Sequence, residues 1–278
     1  MSPAVIGLVL FAAALHAAWN AVLRSGTDRL WSVTIMSFAT TVVAIPFAVM
    51  LPLPSSQSWP YLILSSCLQI GYSVFLVYAY RYGELGQVYP IVRGSVPLLV
   101  TLGGFSLADQ HPSALSLFGV ILVALGIMSL ALGRRRATAK SVVLAFITGL
   151  FIASYTTADG IGVRVAGDPR AYATWIFLTY GALMPMTFIA IRGRHTLDVL
   201  SSETLKALAG GAISLIAYVA VISALALGPI GPISALRETS VVFAVLIGRV
   251  FLGEALTMRR LAACAVVAFG ASCLAYQP

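Results

Sequence analysis

The sequence predicts an all-α polytopic membrane protein of about ten transmembrane helices, arranged as two inverted five-helix repeats. Three observations lead there. Hydrophobic residues make up 60% of the 278 and charged residues only 9%, with a mean hydropathy of +0.97. Apolar runs of transmembrane length follow one another with short breaks. A set of glycine, polar and acidic positions in the first half recurs in the second.

A soluble domain carries about 25% charged residues. With so few, this chain cannot cover a water-facing surface, and its exterior must face lipid. Runs of roughly 20 residues match a hydrocarbon core of ~30 Å at a rise of ~1.5 Å per helical residue. Such runs lie near 3–23, 31–51, 59–80, 86–107, 113–132, 141–163, 171–191, 205–226, 230–251 and 257–276. Between them fall Pro52, Pro54 and Ser55 to Ser58, then Gly133 to Lys140, then Arg192 to Asp198, with no room for a water-soluble domain. The run at 3–23 has no basic residue before it and Arg24 after it, which reads as a helix of the mature protein rather than a signal peptide.

The net charge of +8 is distributed as a membrane protein distributes it, not as a nucleic-acid binder does. Arg24, Arg29, Arg81, Arg134, Arg135, Arg136, Lys140, Arg192, Arg194, Lys206, Arg259 and Arg260 all fall at odd-numbered connections. Arg164 and Arg170 fall at an even-numbered one, and Arg93, Arg237 and Arg249 inside helices. Basic loops stay in the cytoplasm during insertion, so both termini are expected outside it, in a multi-pass protein of the cytoplasmic (inner) membrane. Cys67, Cys264 and Cys273 lie within predicted helices without metal-ligand spacing, so neither disulfide nor zinc is expected. No cofactor is expected either.

Gly83, Gly86, Ser95 and Asp109 recur 145 residues later as Gly228, Gly231, Ser240 and Glu254. At an offset of 139, His16, Asn20 and Pro46 fall against Tyr155, Asp159 and Pro185. This divides the chain into repeats at 1–135 and 136–278. Because five helices is an odd number, the second repeat enters the membrane from the opposite side. Inverted repeats place a substrate site near the midplane between them and permit alternating access.

A charge at the bilayer centre costs about 2.5–3.5 kcal/mol on insertion scales, so each one suggests function. His16, Arg93, Asp159, Arg237, Glu238 and Arg249 stand out. Arg93 and Arg237 lie at similar depths in the fourth and ninth helices and read as partners by the repeat. Two such forks can hold a carboxylate, phosphonate or phosphate. Structural pairs, Arg237 with Glu238 or Arg93 with Asp159, and snorkelling to the headgroups are the other readings. Asp159 and Glu238 are candidates for proton coupling or for contact with an ammonium group. His16 and Asn20 share one helix face with Trp19 beside them, and Tyr155 and Asp159 repeat the spacing. Tyr78 and Tyr89 are candidate cavity linings, Tyr218 lies in the eighth helix, and Tyr80 and Tyr82 read as interfacial aromatics. Arg249, Glu254, Arg259 and Arg260 near a helix end read as topology and loop pairing. Gly119, Gly126, Ala262, Ala263, Gly270 and Ala271 allow close helix approach or dimer contact, so monomer and homodimer both stay open.

The His16-Ala-Ala-Trp19-Asn20 stretch closing the first helix, and the pattern seen at Gly83 to Gly126 and again at Gly228 to Gly270, resemble the drug/metabolite transporter superfamily in its ten-helix EamA-like branch. The likeness covers nearly the whole chain. It implies a carrier of small metabolites, most often an exporter, with a cavity near His16, Asn20, Tyr78, Tyr89, Arg93, Tyr155, Asp159, Tyr218, Arg237 and Glu238. Two deep arginines are not needed for cationic or apolar substrates, which shifts the expectation toward an anionic or zwitterionic one.

The leading expectation is therefore a secondary carrier for a small amino-acid-like or organic-acid substrate, with proton coupling open. A flippase for a polyprenyl-linked sugar phosphate would also use paired arginines. An intramembrane enzyme is disfavoured: histidines at 16, 111 and 195 are scattered, and no His-x-x-x-His spacing appears. No glycine-rich phosphate loop points to ATP use.

Overall fold

Several loops end in residues whose side chains can start a helix. The computed structural model describes residues 1–24, 28–82, 85–131, 138–193, 201–252 and 256–276. The repeat residues Gly83 and Glu254, and the basic residues Arg134, Arg135, Arg136 and Arg194, lie outside these. The helices are α1 (Pro3–Arg24), α2 (Arg29–Met50), α3 (Trp59–Tyr82), α4 (Leu85–Leu107), α5 (Ala114–Ser129) and α6 (Ala139–Gly162). They continue as α7 (Pro169–Arg192), α8 (Ser202–Leu227), α9 (Ile230–Arg237), α10 (Ser240–Leu252) and α11 (Met258–Ala275). Side-chain oxygens of Asp28, Ser113, Thr138, Asp168, Ser201 and Thr257 accept from the first turns of α2, α5, α6, α7, α8 and α11. Each satisfies one donor that a helix start leaves free.

Nine spans among the described residues are long and apolar enough to cross a membrane. Ala114–Ser129 is shorter, at 16 residues. It completes the ten runs read from the sequence. The chain is thus an all-α, multi-pass membrane protein. Its outside carries large apolar side chains, among them Val49 at 85% and Met50 at 78% exposure, which suit lipid and not water.

The ninth span is the one that departs from expectation. A single helix over 230–251 is predicted, but the ladder is interrupted at Glu238 and Thr239. There the amides of Glu238 and Thr239 bond to the carbonyls of Ala235 and Leu236, three residues back rather than four. The Thr239 hydroxyl also donates to the Leu236 carbonyl, at 2.8 Å. A side chain competing for the ladder and tightened local bonds are recognised ways to end a helical run. Broken backbone at membrane depth is tolerated where protein surrounds it, and here residues 231–241 are all buried.

Helices of the two halves pack pairwise: α3 along α6, α1 along α8, α2 along α7, and α5 along α11. Exchanging first-half helices for their second-half counterparts maps this set onto itself. The α5–α11 contact is close because neither helix has a side chain where they touch. A Cβ on Gly119 would stand 2.8 Å from the Gly270 carbonyl oxygen, and one on Gly270 would stand 2.9 Å from that of Gly119.

Ties between the halves occur at both ends of the bundle. At the end of the even-numbered connections the Ser55 amide donates to the Ala166 carbonyl at 3.1 Å, and the Ile230 amide to Gln110 Oε1 at 2.9 Å. At the basic end Arg192 pairs with Asp28, and the Trp31 indole N–H donates to Thr204 at 3.3 Å.

Candidate functional site

Halfway through the bundle the helices bring charges together that the chain keeps far apart. Arg93 lies eight residues into α4 and Arg237 ends α9, seven residues after its start. At ~1.5 Å per residue both are roughly 10–12 Å from their helix ends, near the midplane of a ~30 Å core. Arg93, Arg237, Glu238 and Asp159 are 6%, 5%, 0% and 1% exposed. Burial this deep excludes snorkelling to the headgroups for these two arginines.

Glu238 stands between the two guanidiniums. Arg93 Nε lies 2.9 Å from Oε2, and Arg237 Nη2 lies 3.7 Å from Oε1. Neither contact is aligned as a hydrogen bond: Glu238 Oε1 and Oε2, Arg93 Nε, and Arg237 Nε and Nη2 are buried without a hydrogen-bond partner among the described residues. The carboxylate is held by charge alone. Arg93 Nη2 also meets His16 Nε2 at 2.6 Å and donates to Ser240 Oγ at 3.4 Å. A guanidinium can only donate, so Nε2 accepts and the His16 ring is neutral. Tyr89 lies with its ring 5.9 Å from the Arg93 guanidinium carbon.

Asp159 is held quite differently. Tyr218 of α8 donates to its Oδ2, and Tyr172 of α7 donates to its Oδ1 at 3.3 Å. Gln69 of α3 in turn donates to the Tyr218 hydroxyl and to Ser65, each at 3.1 Å. Charged acceptors with oriented donors from several helices are fixed groups, and four helices are locked together by this one. Tyr155, one turn before Asp159, stacks edge-on with Tyr72, ring centroids 6.1 Å apart.

The family model of the EamA-like transporter family matches residues 139–276, which is the second half from the start of α6 to the end of α11. The chain belongs to the EamA-like transporter family. No functionally curated protein matches it. Twenty-nine solved chains match its fold. One of them, described only as "Crystal structure of protein", superposes with a TM-score of 0.78 at 18% identity, over 98% of this chain and 96% of that one. At that identity the likeness speaks for the fold alone.

Within this transporter the predicted residues divide into three groups. His16, Arg93, Tyr155, Arg237, Glu238 and, at the edge, Tyr89 form one charged layer. Asp159 and Tyr218 form a second, toward the end of the even-numbered connections, and Arg93 does not pair with Asp159 as one reading allowed. Trp19, Asn20 and Tyr78 stand apart. Trp19 packs edge-on against His16 at 4.9 Å, and the Asn20 amide donates to the His16 carbonyl at 2.8 Å, a bond within its own helix. Tyr78 is 44% exposed. Tyr82 faces Lys140, 3.7 Å from its ring, at the basic end.

The pairing of Arg93 with Arg237 by the repeat also needs correction. The 145-residue offset that aligns Ser95 with Ser240 aligns Arg93 with Glu238, and these are the two residues that touch. Gln69, Tyr172 and Ser240 enter the site without having been singled out for it. Gln69, a lone amide in an apolar span, carried the signal, whereas Tyr172, three residues into α7, reads as an interfacial aromatic. A cavity of about 570 Å³ elsewhere, lined by Gln110, His111, Ser113, Arg164 and Pro229, includes none of the candidate residues.

Proposed function

We propose that the protein is a secondary carrier that binds the carboxylate or other oxyanion of a small anionic or zwitterionic metabolite between Arg93 and Arg237. Movement of the two five-helix repeats about that site then exposes it alternately to either side of the cytoplasmic membrane, with the basic loops inside. The observation that carries this is Arg237, which is 5% exposed yet keeps Nε and Nη2 without hydrogen-bond partners among the described residues. A buried charged donor left unmatched costs at least ~1–3 kcal/mol. A fold tolerates that where a ligand supplies the missing acceptors. The interrupted ninth span supports the reading, because discontinuous helices at the midplane are where carriers build their sites.

Burial also supports a path from the basic side. Trp19 and Asn20, between the charged layer and that end, and His16 and Tyr89 of the layer itself are half-buried, while residues 156–160 beyond it are buried.

The test is a thermal-shift screen of amino acids and organic acids on purified protein, followed by uptake of a radiolabelled hit into proteoliposomes. Arg93→Ala and Arg237→Ala should each lower uptake at least tenfold while Arg249→Ala leaves it unchanged. Uptake that survives both substitutions removes the anion site from the proposal.

A further inference from the structure

The two carboxylates of the site are not equivalent, and the difference says which of them moves. Asp159 accepts hydrogen bonds from two tyrosines on two helices. Glu238 accepts none, sits at the break between α9 and α10, and occupies the space between the guanidiniums. It fills the position that the anion reading above assigns to a substrate. Resting on that reading, we infer that a substrate carboxylate displaces Glu238 from Arg93 and Arg237, and that a monoanionic substrate brings one proton, which Glu238 takes up as it leaves.

Charge balance drives the step. Arg93 and Arg237 carry two positive charges, Glu238 beside them and Asp159 in the adjoining layer two negative ones, and the two layers together are neutral as they stand. An anion entering alone leaves a net negative charge among groups no more than 6% exposed. Two carboxylates crowded on one cation pair cannot both stay ionised cheaply, and a carboxylate pushed off its cations into a dry interior is neutralised. A proton on the displaced Glu238 oxygen restores balance: the anion gains the two guanidiniums, Glu238 gains an O–H, and the two layers together stay neutral.

No other facing group takes that proton as readily. From α1, His16 is committed through Nε2 to Arg93. From α4 come Arg93 and Tyr89, and from α9 Arg237. From α6 come Tyr155 and Asp159, and from α8 Tyr218, the last two already joined to each other. Ser240 of α10 adds a hydroxyl that bonds Arg93. Within α5, Ala114–Ser129, there is no titratable side chain.

The experiment uses benzoate as a monoanionic probe on full-length purified protein, across the pH range in which benzoate stays ionised. Apparent affinity from thermal stabilisation should rise about tenfold for each unit of falling pH in the wild type and in Arg249→Ala, and be flat in Glu238→Gln. Independently of any variant, a weakly buffered indicator-dye titration of the wild type should report one proton taken up per benzoate bound. Binding without proton uptake, or a slope that Glu238→Gln keeps, overturns this inference and leaves the anion site standing. Absence of benzoate binding by the wild type overturns the anion site itself.

Discussion

Arg93 Nε and Glu238 Oε2 meet at 2.9 Å although 145 residues separate them in the chain. That separation is also the offset of the repeat, so each stands at the other's position in its own half. Positions related by a twofold touch only close to the axis. In the repeat reading, then, opposite charges sit where the halves pivot, and any rocking motion must pass through this contact.

The pair is expected to behave as a buried ion pair held by charge. Removing one member leaves the other uncompensated, which costs about 3–5 kcal/mol, whereas replacing both with apolar groups of similar size is often nearly neutral. Arg93→Met and Glu238→Met should each lower stability strongly, and the double substitution should be more stable than either single one. Thermal denaturation in detergent of the four proteins of this cycle decides it. A double variant no better than the worse single one would show that the contact carries no coupling.

How much of this was legible in the sequence depends on the range of the interaction concerned. Each span announces itself through its own composition, so the ten runs, the short loops and the depth of Arg93 and Arg237 could be read directly. The interruption at Glu238 could not, because no proline or glycine stands there and the cause is a local change in hydrogen bonding within a wholly buried segment. Partner choice was equally out of reach. Whether Arg93 faces Asp159 or Glu238 depends on how α4 rotates against α6 and α9, which an apolar helix without a polar face leaves undetermined. The offset of 145 did contain the answer for Arg93, masked by the neighbouring Arg237, which resembles it in type and depth.

Small residues on α5 and α11 set a second expectation. At Gly119 an added methyl would come within 2.8 Å of the Gly270 carbonyl oxygen and 2.9 Å of Leu274, both on a neighbouring helix. At Gly7 of α1 an added methyl meets nothing within 4 Å. Gly119→Ala should therefore destabilise by about 1–3 kcal/mol through overpacking. Gly7→Ala should instead be stabilising by roughly 0.5–1 kcal/mol, through helix propensity alone. Equal melting temperatures for the two variants in the same detergent would contradict the close α5–α11 approach.

Outside the membrane the same physics gives a pH-dependent cap. Asp168 precedes α7, accepts from the Arg170 amide at 2.8 Å, and pairs with the Arg170 guanidinium at 3.0 Å. These bonds to Arg170 hold its carboxyl below the usual carboxylate range. A carboxyl lowered in the folded state contributes stability that is fully present above its unfolded value, about 3.9, and is lost as pH falls through the lowered folded value. Losing an N-cap acid costs about 0.5–2 kcal/mol. Asp168→Ala should lower the melting temperature at neutral pH, and the gap between variant and wild type should close as the solution is acidified below that range. A gap that stays constant down to the lowest pH at which the protein remains folded would assign the loss to packing, and not to the ionised cap.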